Sequence, residues 1–310
     1  MPLLTLFTAP KPFTNPQVNL VQRNALHSWQ ALGGEVAVVL IGDEAGMAEA
    51  AAEMNLTHLP QVACNALGTP LISSIFALGR SVSDSPYLAY VNADIILFPK
   101  FPQVVRQIGA EMERFLLVGQ RWDLEVTQPL SFERGWAEGL RQRAHNQGKL
   151  HVRAGSDYFV FPRACFQQVP DFTVGRAGWD NWMIYQARRQ GWPVVDATNV
   201  LDIIHQNHDY SHLPNGQPHY RLPETNENIR LAGGRRTIFD LDDASHYFNG
   251  IRIEPAPKTS RKFWREVEIY PLIKLHSTPL AQAVFTLFHP RKAWVEFWKN
   301  RALKKPQQGG

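Results

Sequence analysis

Early in the chain, chemically able residues close runs of strand-forming ones. Thr8 and Ala9 end "LLTLFTA", Asp43 ends "EVAVVLIGD", and Asn92 and Asp94 interrupt "YLAYVNADIILF". Open α/β sheets bind ligands outside the carboxyl ends of their strands. A hard divalent cation shared between one carboxylate and two phosphates needs a residue such as Asp94 at that place. The same residue types also make ordinary turns and caps, so strand-end position alone leaves both readings open.

Further along, Asp180 stands at the start of the helical pattern "WDNWMIYQARR". There it either caps the first turn, where a carboxylate is favoured, or reaches a reacting group. The polar step Gly155-Ser156-Asp157 precedes the aromatic run "YFVF" and suits a polar ligand contact as well as it suits a plain turn. Trp179 and Trp182 flank Asp180. Their faces could line a ligand site, and helix packing onto the sheet is the alternative, the stronger one for Trp182. His205, His208, His212 and His219 crowd one short stretch. A dedicated zinc site is not expected there, because structural zinc favours Cys partners and hydrolytic zinc motifs need a Glu that the stretch lacks.

These residues need elements to hold them, and the first two thirds of the chain alternate strand and helix signals, the pattern of an α/β sheet. Asn15-Pro16 supplies an N-cap and first helical residue, Val18, Val21, Ala25, Trp29 and Leu32 recur at helical spacing, and Gly33-Gly34 stops the helix. Thr69-Pro70 opens a helix through Ile72, Ile75 and Phe76, and another begins near Pro102 after the strand "YLAYVNADIILF". "SDYFVFPR" and "WPVVDATNVLDIIH" read as strands, and the helix between them ends at Gly191. From Asn207 to about Pro257 the chain is polar and mostly loop.

In this order, the stretches resemble the glycosyltransferases of the A-type fold. The donor-binding half of that family ends in a strand carrying Asp-x-Asp. "SPYLAYVNADIILFP" resembles it, with Asn92 in the place of the first Asp and Asp94 in the metal-binding place. The family's Glu-Asp at a helix start, with a Gly eleven residues after the Asp, resembles Asp180 and Gly191, with Trp179 replacing the Glu. His205 in "VLDIIHQNH" stands where the family often has a metal-binding His. The resemblance covers roughly residues 3 to 210 and rests on spacing more than identity.

The resemblance implies a Rossmann-like nucleotide-diphospho-sugar transferase sheet with helices on both faces. It implies a hexosyltransferase-like activity on a nucleotide-sugar donor, with Asp180 as base and inversion at the anomeric carbon. Asp94 and His205 would hold Mn²⁺ or Mg²⁺, with Mn²⁺ first because it accepts imidazole more readily. Asn92 would meet sugar or ribose hydroxyls. Thr8, Ala9, Asp43, Gly155, Ser156, Asp157 and Trp179 would line the donor site, and a loop of His208, Asp209 and Tyr210 would close over it. Asn92 and Trp179 depart from the pattern, which keeps open a non-catalytic carbohydrate- or partner-binding protein on the same fold. A sugar-1-phosphate nucleotidyltransferase fits less well, since "FTAPKPF" lacks the expected Gly-rich loop.

The chain is 310 residues with net charge +4, and from Lys258 onward eleven Lys/Arg face three Glu. The tail therefore carries a local +8 and the remainder −4, so no nucleic-acid partner is expected. A catalytic domain over 1–257 is expected, with a donor-binding part about 1–120 and an acceptor and catalytic part about 121–257. Residues 258–310 form a basic, aromatic extension. In it Arg291, Lys292, Trp294, Phe297, Trp298, Lys299 and Arg301 suggest an interfacial helix facing an anionic membrane surface, or a packed helix with a solvated face. A glycan or lipid-linked acceptor, as in surface-polysaccharide synthesis, would suit such a setting. "MPLLTLFTAPKPF" lacks a basic n-region and is broken by proline, and only Cys64 and Cys165 are present. A cytoplasmic location is expected, peripheral at the inner face of a membrane.

Overall fold

The computed structural model describes residues 1–207 and 222–303. His208, Asp209, Tyr210, His212 and His219 lie outside the described residues. The chain divides into two compact units, Met1–Arg188 with Trp192–Ala256, and Arg189–Gly191 with Pro257–Gly310.

The first unit begins β1 (Leu4–Thr8), α1 (Pro16–Gln30), β2 (Val36–Ile41), α2 (Met47–Glu53), β3 (Thr57–Leu59) and α3 (Ile72–Ser81). Next come β4 (Tyr87–Val91), β5 (Ile95–Leu97), α4 (Phe101–Glu111), β6 (Leu116–Val118), β7 (Trp122–Leu124), α5 (Trp136–Gln147) and β8 (Lys149–Leu150). It continues through β9 (Tyr158–Pro162), α6 (Trp179–Arg189), β10 (Val194–Asp196), β11 (Ile203–Gln206), α7 (Pro223–Leu231), β12 (His246–Phe248) and β13 (Ile253–Pro255).

Nine strands form one sheet in the order β13-β12-β10-β6-β9-β4-β1-β2-β3. The strands β4, β1, β2 and β3 run parallel, whereas β9 lies antiparallel between β4 and β6. Alternation along the strands gives the sheet two apolar faces. Leu4, Leu6, Leu40, Ala89 and Val160 pack with Ala25 and Trp29 of α1, Ala50 of α2 and Val104 and Ile108 of α4. On the other face Phe76 of α3 meets Phe7, Tyr90 and Phe161, and Trp179 of α6 meets Tyr90 and Phe159. Each such buried side chain contributes about 1.5–3 kcal/mol. Gly79 is required in α3, because a Cβ there would stand 2.5 Å from the Phe7 ring.

The strand expected over "YLAYVNADIILF" divides in two. Its first half, β4, stays in the large sheet; its second half, β5, joins a four-stranded sheet ordered β5-β11-β7-β8. The turn between them closes through Ile95 N–H donating to the Asn92 carbonyl at 3.1 Å. "WPVVDATNVLDIIH" divides likewise into β10 and β11, because Asp196 Oδ1 accepts from the Thr198 N–H and turns the chain. The functional consequence lies in those breaks. They bring polar residues to the junction of two sheets. Gly191, at φ 75°, takes the left-handed conformation suited to the residue after a helix.

Candidate active site

Two elements hold Asp94. The Trp29 Nε1–H of α1 donates to the Ile95 carbonyl at 2.9 Å, and the Leu97 N–H donates to Ser28 Oγ at 3.1 Å. From the other side, the Gln206 N–H and Nε2 both donate to the Asp94 carbonyl, at 3.3 and 3.2 Å. The backbone is thus fixed by buried groups, and the carboxylate's position follows from it.

His205 is set by strand register. It pairs with Asp123 of β7 on one side and Ile95 of β5 on the other. Its Nδ1 lies 3.3 Å from Asp123 Oδ1, and its Nε2 lies 3.8 Å from Asp94 Oδ2. Burial disfavours the imidazolium, but the Asp123 hydrogen bond and the Asp94 charge outweigh it, so the His205 pKa is raised. Asp123 also takes Arg121 Nε at 2.9 Å and His151 Nδ1 at 2.7 Å. Burial opposes its charge, yet the His205, His151 and Arg121 contacts hold the carboxyl well below the usual range.

Arg121 links this group to the neighbouring strand. Its Nη1 donates to Asp157 Oδ2 at 2.5 Å, and Asn92 Nδ2 donates to Asp157 Oδ1 at 2.8 Å. Asn92 and Asp157 continue the antiparallel register of Val91 and Tyr158, and the Asn92 N–H donates to the Asp157 carbonyl at 2.9 Å. A carboxylate at position 92 would face Asp157 as a like charge; an amide donates to it instead. That is a physical account of the amide beside Asp94.

Asp180 lies in the first turn of α6 and is partly exposed; its Oδ1 accepts from the Gly178 N–H at 3.1 Å. Burial raises its pKa, the Asn181 and Gly178 N–H groups lower it in part, and the charge of Asp157 raises it further. Asp180 thus feels the same carboxylate that Asn92 and Arg121 hold.

The other expected residues are placed as follows. Thr8 is fully buried, and its Oγ1 has no hydrogen-bond partner among the described residues. Ala9 is half-buried beside it. Asp43 is exposed beyond β2, and burial together with the Asp43 charge raises the pKa of the neighbouring Glu44. Gly155 lies against the His151 ring, and Ser156 is buried. Trp179 is only 6% exposed and packs edge-on to Tyr90 at 4.9 Å. Trp182 is buried and packs on Phe172, which lies outside the strands. Cys64 and Cys165 are free thiols, the first exposed and the second buried.

Sequence reasoning passed over Lys11, Arg121, Asp123 and His151. Lys11 is half-buried in the segment after β1, with its N–H and carbonyl clasped by the Gln22 side chain. Burial lowers its pKa and the Asp94 charge raises it, so the ammonium lies within electrostatic reach of that carboxylate. Its place after the first strand was the available signal. Arg121 stands between β6 and β7, and Asp123 lies within the three-residue β7.

Among the described residues no three His, Cys, Asp or Glu side chains form a metal cluster. The Asp94–His205 pair nevertheless has a suitable donor set. Asp94 offers a carboxylate oxygen and His205 a ring nitrogen 3.8 Å apart, the two donor types that would hold a divalent cation between them.

This geometry sits on an α/β chain, where the nine-stranded sheet meets the four-stranded one. No protein-family model matches the chain, and no characterised protein matches its sequence. Among similar solved structures is S. aureus TarS 1–349, at 10% identity over 67% of this chain and 59% of that one, with TM-score 0.39. The same TarS segment in complex with UDP-GlcNAc gives 10% identity, 93% and 80% coverage and TM-score 0.49. Glucosyl-3-phosphoglycerate synthase from Mycobacterium tuberculosis, in complex with Mn²⁺, UDP and phosphoglyceric acid, gives 12%, 76% and 79%, and 0.45.

Proposed function

We propose that the protein is a glycosyltransferase, moving a hexose-like sugar from a nucleoside-diphosphate donor to a hydroxyl of a glycan or lipid-linked acceptor in the cytoplasm. The observation that carries the reading is the facing pair of Asp94 and His205 at the sheet junction, with Asp180 in the electrostatic reach of the same network. Asp94 and His205 would hold a divalent cation, Mn²⁺ before Mg²⁺, completed by donor phosphate oxygens. Such a cation supplies Lewis-acid neutralisation of the leaving diphosphate.

The chain's own residues do the rest. Lys11 adds a positive charge beside Asp94. Asp123 holds the imidazole of His205 by its charge at 3.3 Å, and Arg121 holds Asp123. Asp180 accepts the proton of the acceptor hydroxyl as that oxygen attacks; its raised pKa suits a group that must take up and release a proton. In-line attack opposite the leaving group inverts the anomeric carbon. Thr8 Oγ1, a buried hydroxyl with an unused hydrogen bond, and Ala9 border the nucleotide side. Asn92, with its amide on Asp157, serves the donor through orientation of that strand end.

The test is a thermal-shift panel of nucleoside diphosphates and sugar nucleotides on the full chain, with and without Mn²⁺. A matching nucleotide at one hundred times its Kd stabilises by about 2.7 kcal/mol. Asp94→Ala should lose the Mn²⁺-dependent part of that shift. If no nucleotide raises the midpoint of the wild-type chain, the donor site is not there.

A further inference from the structure

We propose that the C-terminal unit is a docking surface for an anionic phospholipid bilayer, lying in the headgroup plane rather than crossing it. The inference stands apart from the donor site and rests on different residues.

The unit contains α8 (Ser260–Ile273), α9 (Thr278–Phe288) and α10 (Pro290–Leu303). Among the described residues, every exposed Trp, Phe and Tyr of the chain lies between Phe263 and Trp298. Phe263, Trp264, Trp294, Phe297 and Trp298 are 59%, 53%, 65%, 58% and 47% exposed. Elsewhere the exposed large apolar residues are scattered aliphatic ones, such as Leu67 and Ile251, which need no explanation. The rings are grouped. Phe263 and Trp264 lie 5.2 Å apart, Trp264 reaches Phe288 of α9 at 5.8 Å, and Trp294, Phe297 and Trp298 share a turn of α10.

Charge selects the occupant. Eleven Lys/Arg against three Glu leave the segment at +8. Two of the three carboxylates are already engaged within it, Glu266 by Lys262 and Glu268 by Arg265 and His289. Lys274, Arg291 and Lys292 are exposed in the same unit. Protein interfaces deplete Lys from their cores, whereas aromatic side chains interleaved with Lys and Arg are the composition of interfacial helices on anionic lipid. Long basic side chains lay their methylenes along the apolar layer and return the charge to the headgroups. The helices, of 14, 11 and 14 residues, fall short of the roughly twenty needed to span a bilayer. No described helix is long and apolar enough to cross a membrane. Of the residues expected on the basic face, the side chains of Lys299 and Arg301 lie outside the described ones.

The experiment is co-sedimentation of the full chain with vesicles of phosphatidylglycerol or of phosphatidylcholine, at low and high salt. Binding to phosphatidylglycerol should exceed binding to phosphatidylcholine about tenfold or more at low salt, and fall as salt screens the charge. Trp294→Ser with Phe297→Ser and Trp298→Ser should lower it to the phosphatidylcholine level, as should Lys274→Glu with Arg291→Glu and Lys292→Glu. Donor binding in the thermal-shift panel should stay unchanged in both. Quenching of the wild-type Trp emission by lipid brominated on its acyl chains needs no variant, and is expected. Absence of quenching, absence of pelleting at low salt, or equal pelleting on both lipids would overturn the proposal. So would a solution dimer abolished by the aromatic variant, which would make a second copy the occupant.

Discussion

Asp123 and Asp180 belong to one electrostatic neighbourhood and are driven in opposite directions. Asp123 gathers Arg121, His151 and His205, which overcome its burial and hold it far below an ordinary carboxyl. Asp180 receives backbone N–H groups but no cation among its principal influences, so burial raises it and Asp157 raises it further. Carboxylates pushed apart in this way divide labour. In the proposed mechanism Asp123 stays the anion beside the His205 imidazole, and Asp180 is the base that changes state.

The largest test of that division is Asp180→Asn. Loss of a general base costs about 10²–10⁴ in kcat, while the nucleotide-induced thermal shift should be retained, since Asp180 is assigned to the acceptor proton. Steady-state transfer rates and the melting panel read the two quantities separately. Full activity in Asp180→Asn would end the assignment, and loss of donor binding would move Asp180 to the donor side.

Arg121→Met addresses the other half. Arg121, Asp123 and Asp157 are 16%, 21% and 8% exposed as side chains, so removing the shared cation leaves two carboxylates facing each other in a poorly solvated site. Breaking a buried pair from one side costs about 3–5 kcal/mol. Urea unfolding should show that loss in Arg121→Met and much of it recovered when Asp157→Asn is added. A loss below about 1 kcal/mol would place the Arg121 contacts in the class of solvated surface pairs and remove its role as organiser.

The contrast also explains what the sequence could disclose. α1 was legible because Asn15, Pro16 and the apolar spacing are local signals, and the Asn15 side chain does accept from the Gln17 and Val18 N–H groups. The run through Asn92 read as one strand because apolar periodicity continues across it. The break depends on partners distant in sequence, Trp29, Asp157 and Gln206, that no window contains. Asp94, Asp180 and His205 could be singled out by spacing. Asp123 and Arg121 could not, because a three-residue strand such as β7 carries no periodic signal until β11 pairs beside it. Trp179 looked equally suited to a sugar or to the core, and only the ring contacts with Phe76, Tyr90 and Phe159 distinguish its surroundings.

The smallest effect is the sharpest. The folded-state pKa of Asp180 lies above its unfolded value, so the folded chain holds that proton more tightly. Its contribution to stability is complete below the unfolded pKa, about 3.9. It is lost as pH rises from there through the folded pKa, leaving an ionised group that the site disfavours. Asn cannot ionise and keeps a carbonyl oxygen for the Gly178 N–H, so Asp180→Asn should be more stable than wild type at neutral pH. A gain on the order of 1 kcal/mol is the size usual when strain at a functional site is relieved. Below the unfolded pKa that advantage should vanish. The same ionisation must also govern the acid limb of kcat/KM, because only the carboxylate takes the acceptor proton, and the limb should lie above the ordinary Asp range. Stability difference and activity are different observables of one proton. If urea unfolding across pH and the acid limb inflect at different values, the titrating base is a residue other than Asp180.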